Sequence, residues 1–193
     1  LPSKPVNYCA VDLSASQAFE TDRFIIRPMQ ESERDFFISL HIDENIMKYT
    51  GGAVSEKTAN AKFNNSIKLN QSEKITFKTW TIVAKENRQA IGIQVLYQPQ
   101  QVMEPFTREI GIMIAKSSQG RLIPEEAMGA LMEYAFSELS ITRIIARFSV
   151  ENIATKRFVK KLGFLFNKQP TSGSYSVYFD KMHWKQSIIT LVN

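Results

Sequence analysis

Residues 109–121 read Glu109-Ile110-Gly111-Ile112-Met113-Ile114-Ala115-Lys116-Ser117-Ser118-Gln119-Gly120-Arg121, with Glu126-Ala127 close behind. An apolar run with strand character passes through a Ser/Gly loop into a segment of helical spacing. Where a strand ends and a helix begins, the first helical turn leaves backbone N–H groups without intrahelical partners and offers a favourable dipole to an anion. Gly120 permits close approach of a ligand to the backbone, and Arg121 can add a charge-assisted donor. The same residues also make an ordinary strand-to-helix turn with a solvated Arg121, and the stretch alone leaves both readings open.

Downstream, Pro124 suits a first helical turn, and Ala127, Leu131, Ala135 and Leu139 form a stripe at helical spacing, so 124–139 is predicted as a helix. A strand over Arg143 to Val150 and a second helix over Asn152 to Leu162 follow. Asn152 is a good N-cap, Gly163 sits where a left-handed residue is needed, and Ala154, Phe158 and Leu162 line one side. Lys156, Arg157, Lys160 and Lys161 occupy the other. Those bases suit a nucleotide phosphate, or equally a solvated face near a helix C-terminus.

Upstream, three strands over 79–85, 90–97 and 107–114 form an antiparallel meander, the first two joined by the polar turn Glu86-Asn87-Arg88-Gln89. Phe19 to Met29 alternates as a strand that stops near Pro28, and Glu31 to Leu40 and Ser55 to Leu69 read as helices. A final hairpin joins Leu165–Lys168 to Tyr175–Trp184 through Pro170-Thr171-Ser172-Gly173, and Ser187 to Val192 adds a terminal edge strand. Meander, helix, strand, helix and hairpin give an α/β (α+β) domain over 19–193 with a mixed central sheet of about six to seven strands, after a polar lead-in over 1–18.

The 193 residues, 44% apolar and 22% charged, fit one domain with a real core. A single cysteine, Cys9, excludes an internal disulfide framework, and with only His41 and His183, far apart in sequence, no zinc-type cluster forms, so no metal site is expected. Residues 1–18 lack the basic start and apolar centre of a signal peptide, and no apolar run is long enough to span a bilayer. The expectation is a soluble protein of the reducing cytoplasm, with no membrane partner. A net charge of +5 favours anionic ligands, yet most bases alternate with acids and no aromatics are interleaved in an RNA-binding pattern, which argues against a nucleic-acid partner.

Taken in order, the opening Thr21-Asp22-Arg23-Phe24-Ile25-Ile26-Arg27-Pro28, Glu109-Ile110-Gly111-Ile112 before the loop glycine, Glu126-Ala127, the helix end Leu131 to Phe136, Asn152 with Thr155, and Leu162-Gly163-Phe164 resemble the GNAT superfamily. Within it they are similar to the RimJ/RimL-like branch, the ribosomal-protein-alanine N-acetyltransferases. The resemblance implies a sheet splayed between the strand ending at Ile114 and that over 143–150, flanked by helices on both faces. It implies acetyl-CoA as co-substrate, its pantetheine arm along the splay held by backbone around Ile112, Met113 and Ile114, which would polarise the thioester carbonyl. The pyrophosphate would meet Ser117, Ser118, Gln119, Gly120, Arg121 and Leu122, with Lys156 and Lys160 near the terminal phosphate.

The resemblance also implies direct attack by a primary amine, either a protein N-terminus or a small molecule. Thr155 stands where the branch usually has serine and would protonate the leaving thiolate. Asn152 would touch the pantetheine or order water, and Glu109 would serve as base, directly or through water, if it faces the cleft, the other reading being an acid held in its strand by a neighbouring arginine or by solvent. Neither histidine is expected to act, His183 packing beside Trp184. Cys9 is not expected to act as a nucleophile. Acceptor contacts should come from the two early helices, the turn 49–52 and the hairpin near 172–178, in a monomer or a homodimer.

The family loop reads Gln or Arg, two residues, Gly, one residue, then Gly or Ala. Ser117, Gly120 and Leu122 stand in those slots, and Pro124 removes an N–H at the helix start. A bulky Leu122 where backbone should approach phosphate threatens the site, and a GNAT-fold binding or scaffold module with little catalysis is therefore the alternative to an enzyme.

Overall fold

The computed structural model describes residues 17–72, 75–99, 104–167 and 169–184. One mixed sheet of eight strands organises it: β1 (Phe19–Glu20), β2 (Phe24–Pro28), β3 (Phe77–Ala84), β4 (Ala90–Tyr97), β5 (Thr107–Ile114), β6 (Arg143–Ser149), β7 (Leu165–Phe166) and β8 (Ser174–Asp180). Their spatial order is β1-β2-β3-β4-β5-β6-β8-β7. Each described pair is antiparallel except β5 with β6, which run parallel. The helices are α1 (Arg34–Ile42), α2 (Glu44–Met47), α3 (Glu56–Asn70), α4 (Ile123–Glu138) and α5 (Ile153–Lys161).

Helix boundaries follow from local chemistry. Ser55 accepts the Thr58 N–H and opens α3, and Asn152 accepts the Thr155 N–H at 3.1 Å and opens α5. Gly163, at φ +86°, closes α5 in the left-handed region, and a Cβ there would lie 3.1 Å from the Phe179 ring. The stripe on α4 is buried as its spacing predicts, Ala127, Leu131 and Ala135 at 0% exposure. Full burial of Leu131 alone is worth about 1.5–3 kcal/mol. It packs with Trp80, Leu96, Ile110 and Ile144 on one face of the sheet. Phe37 and Leu40 of α1, Phe63 of α3 and Ile93 cover the other.

Several elements differ from expectation. The strand predicted over 19–29 is two strands, because Thr21 donates its N–H to the Phe24 carbonyl and accepts the Phe24 N–H on its hydroxyl, folding β1 back onto β2. That turn raises the strand number to eight. Helix α2 was not expected, although Asp43, which accepts the N–H groups of Asn45 and Ile46, is its sequence signal. The last strand ends at Asp180, and His183 stands edge-on to Phe179 at 6.5 Å. The lead-in to residue 16, with Cys9, the strand end at Lys168 and the edge strand at 187–192 lie outside the described residues. Among the described residues no helix is long and apolar enough to cross a membrane.

Candidate active site

Strands β5 and β6 are paired only at Thr107↔Arg143, Arg108↔Ile144 and Glu109↔Ile145. Both continue beyond that register, β5 to Ile114 and β6 to Ser149, and therefore diverge. Ala115 donates its N–H to Ile91 of β4, and backbone groups alternate sides along a strand. Alternation turns the Met113 groups to β4 and those of Ile112 and Ile114 into the gap. The Ile114 carbonyl accepts from Gln119 Nε2 there, at 3.4 Å.

A cavity of about 360 Å³ occupies this gap. Ile112, Ile114, Gln119, Gly120, Asn152 and Thr155 line it, together with Pro124 and Met128 of α4. With Met113, which also lines it, seven of the sequence-predicted residues are thus brought together. The Met113 backbone belongs to the β4 pairing, and its side chain packs beside the core on the α1 and α3 face.

The rest of the predicted phosphate set lies outside that lining. Ser117 and Ser118 sit in the 3-10 turn Lys116–Ser118. Arg121 and Leu122 follow Gly120 in the left-handed region, with φ of +91°, +54° and +57° along the three residues. The Leu122 side chain is 56% exposed and is not part of the cavity lining. Lys156 donates to the Tyr175 hydroxyl at 2.8 Å and lies over its ring, and Lys160 lies over Phe166. Aromatic faces on the β7–β8 hairpin attract these ammonium groups away from the cavity.

A brace holds the loop. Glu126 accepts from the Thr21 hydroxyl at 2.5 Å, from Arg23 Nε at 2.6 Å and from the Arg23 N–H at 3.2 Å. Arg23 Nη1 in turn donates to the Arg121 carbonyl at 2.9 Å. Partial burial pushes the Glu126 carboxyl up, but the Thr21 and Arg23 hydrogen bonds outweigh it and hold it below its ordinary range.

On the other face of β5 lies a second cavity of about 520 Å³, beneath α1 and α3. The two share Thr50, Ile110, Gly111, Ile112, Met113 and Arg147, and so meet on β5. Glu109 lines the second cavity at 5% exposure. It accepts from Arg147 Nη2 at 2.6 Å and from Nε at 3.0 Å and 3.2 Å. Glu109 thus lines a cavity and is held by Arg147, so both readings of it stay open. The bond to Glu109 raises the pKa of Arg147. Burial, then the neighbouring Glu109, pushes the Tyr97 hydroxyl well above its ordinary value.

His41, which no local sequence signal selects, also lines this cavity and is 7% exposed. Its Nδ1 lies 2.9 Å from the Phe37 carbonyl, which can only accept, so Nδ1 carries the hydrogen and Nε2 keeps a lone pair. Burial lowers its pKa, and nearby Lys62 lowers it further. Lys62, Thr79, Tyr97 and Arg147 were likewise missed, since strand pairing and helix packing bring them together. Of the predicted acceptor segments, the early helices and the 49–52 turn contribute, while the hairpin at 172–178 supplies none of the described lining of either cavity.

The family model for the acetyltransferase (GNAT) domain matches residues 23–165. The chain belongs to the GNAT acetyltransferase family. As such it is an acetyl-CoA-dependent N-acetyltransferase. YnaD, an uncharacterized N-acetyltransferase of Bacillus subtilis strain 168, is 31% identical to this GNAT over 144 residues, covering 74% of this chain and 79% of YnaD. A GNAT-family acetyltransferase from Bacillus anthracis superposes with a TM-score of 0.73 at 19% identity, covering 86% of this chain and 99% of that one. Spermidine N-acetyltransferase from Vibrio cholerae, solved with CoA and spermine, has a TM-score of 0.73 at 17% identity over the same shares. At these identities the structural likeness is one of fold.

Proposed function

We propose that this GNAT, of the RimJ/RimL-like branch, transfers an acetyl group from acetyl-CoA to a primary amine by direct attack, within the cytoplasm. The observation that carries the reading is the pair of cavities meeting on β5 at Gly111 to Met113. The residues fit the co-substrate: backbone at Ile112 and Ile114 that does not pair with β6 suits an amide-bearing arm, and the loop at Gly120 before α4 suits its diphosphate. When bound, acetyl-CoA supplies an activated thioester.

The chain's own groups do the rest. The Ile112 N–H, fixed by the sheet, is a donor prepared for charge developing on a carbonyl oxygen. Glu109, oriented by Arg147 and Tyr97, receives the proton of the amine from the acceptor side. A peptide α-amino group, with a pKa near 8, is already partly neutral at physiological pH, so proximity supplies much of the acceleration. Thr155, in the cavity lining and fixed at the first turn of α5, relays a proton to the thiolate and is reprotonated from solvent as it does so, and Asn152 orders that turn.

The test is calorimetric titration of acetyl-CoA together with thiol release in the presence of amines, for the unmodified protein and Glu109→Gln. Micromolar binding by both, with kcat/KM lowered about 10²–10⁴-fold in the variant, is expected for a group that takes the proton. Absence of both binding and thiol release in the unmodified protein would leave a non-catalytic module.

A further inference from the structure

We infer that the 520 Å³ cavity takes a primary monoamine with an aromatic body and an uncharged hydroxyl at its far end, a phenolic arylalkylamine, and rejects polyamines and peptide N-termini. This rests on the acyl-transfer reading above and adds the chemistry of the acceptor.

The sheet register lays out the cavity floor. Thr79 of β3 stands opposite Val95 of β4, and Val95 opposite Gly111 of β5. On one side of this row run Phe77, Tyr97 and Glu109, and on the other Thr81, Ile93 and Met113. Residues two apart on a strand share a face, so the three rows point to the same side of the sheet, and all but Thr81 line the cavity. A Cβ at Gly111 would stand 3.1 Å from Val95 Cγ2, so glycine keeps the floor low where the two cavities meet.

An acceptor nitrogen has to reach the 360 Å³ cavity at Gly111 to Met113, beside Glu109. Its body then lies along the middle row among Val95, Ile93, Phe37 and Met47, whose side chains offer apolar contact and no hydrogen bonds. Removing an aromatic ring from water there is favourable. A peptide in the same place would lay its amide N–H and C=O groups against these side chains unpaired. The row ends at Thr79, two strand spacings or roughly 10 Å from Gly111. Thr79 is 1% exposed, and its hydroxyl makes no hydrogen bond. Buried hydroxyls are nearly always partnered, so this one marks where a polar atom of the occupant belongs. An aminoethyl chain on a phenol ring spans most of the row and brings its oxygen to that hydroxyl.

Charge sets the number of ammonium groups. Among the described lining residues of both cavities Glu109 is the one carboxylate, and Arg147 already holds it through three N–H contacts. Lys62 of α3 adds a second cation, and His41, its pKa lowered chiefly by burial, is neutral. The empty cavity thus carries a net positive charge. One ammonium can give up its proton beside Glu109; a second meets Lys62 or Arg147 with no carboxylate of its own, which disfavours it strongly.

The experiment uses the full chain and four probes: tyramine, phenethylamine, spermidine and a tripeptide beginning with tyrosine. Thiol release gives kcat/KM for each, and calorimetry gives acetyl-CoA affinity. Tyramine should be preferred over phenethylamine by about 10-fold, and over spermidine and the tripeptide by about 100-fold. Thr79→Val removes the hydroxyl at nearly constant shape and should bring the tyramine-to-phenethylamine ratio close to one, while Thr79→Ser should keep it; a merely structural role would lower both amines alike. Phenethylamine as good as tyramine, equal or better use of spermidine or the tripeptide, a ratio unchanged in Thr79→Val or lost in Thr79→Ser, or no turnover of any probe with acetyl-CoA binding intact would each overturn the inference alone. The four-probe comparison on the unmodified chain decides it if Thr79→Val fails to fold. Absence of acetyl-CoA binding by the unmodified chain would instead overturn the function, and the acceptor class with it.

Discussion

Replacing Asn152 separates a structural from a catalytic role at the mouth of the splay. Its side-chain oxygen accepts one hydrogen bond, from the Thr155 N–H at 3.1 Å, and α5 has nine residues, so a lost cap is a large share of that helix's local stability. Asn152→Ala leaves this N–H without its acceptor, which costs about 1 kcal/mol. In a domain of this size that lowers Tm by about 2–4 °C. Asn152→Asp keeps the acceptor and adds a charge favourable at a helix N-terminus, so its stability should equal or exceed that of the unmodified protein. Asn152 also lines the cavity proposed for acetyl-CoA, where a carboxylate would repel a polyanionic co-substrate. The Asp variant should therefore melt normally, bind acetyl-CoA about tenfold more weakly and turn over more slowly. Thermal melts and calorimetric titration of both variants make the comparison. A stable Asp variant with unchanged acetyl-CoA affinity and turnover would refute the placement of Asn152 in the working site and leave it as a cap alone.

Leu122→Gly should change little: it relieves about 1 kcal/mol of left-handed strain and returns about 0.5–1 kcal/mol of chain entropy to the unfolded state. Acetyl-CoA affinity should stay within about twofold, whereas tenfold tighter binding would show that the exposed leucine obstructs the loop. Gln94, 0% exposed, has neither amide atom partnered, so Gln94→Met should raise stability by about 1 kcal/mol in denaturant melts; a loss of that size would mean the amide is partnered in solution. The Arg143 guanidinium, 2.6 Å from Asp180, holds its carboxyl below the ordinary range. A carboxyl depressed on folding contributes stability above its unfolded pKa, about 4, and loses it as pH falls through the folded value. The stability gap between the unmodified protein and Arg143→Ala should therefore narrow below pH 4, and a gap independent of pH would refute the pairing.

The central elements were legible because they are written in local periodicity. β4 and β5 fall at the boundaries that alternation predicts, and the α4 stripe is buried at the residues its spacing selects. The first strand broke at Thr21 to Arg23 because a side-chain bond made a turn where the apolar pattern ran on. Asn152, Gly120 and Thr155, which line the 360 Å³ cavity, could be selected from sequence because caps, glycines and motif order are local signals. Lys156 and Lys160 share a helix face with no sequence sign of the rings at Tyr175 and Phe166 that engage them.

What the sequence alone determined was the family and its scaffold: a strand, a glycine-containing loop and a helix in an order that places backbone donors at the 360 Å³ cavity, since these depend on neighbours a few residues away. Tertiary structure decided the make-up of the 520 Å³ cavity. Glu109 and Arg147 pair across two parallel strands, His41 and Lys62 arrive on separate helices, and Thr79 and Tyr97 come from two more strands. The protonation, charge and unmet hydrogen bonds of such groups depend on what burial and packing bring beside them, and these partners are distant in sequence.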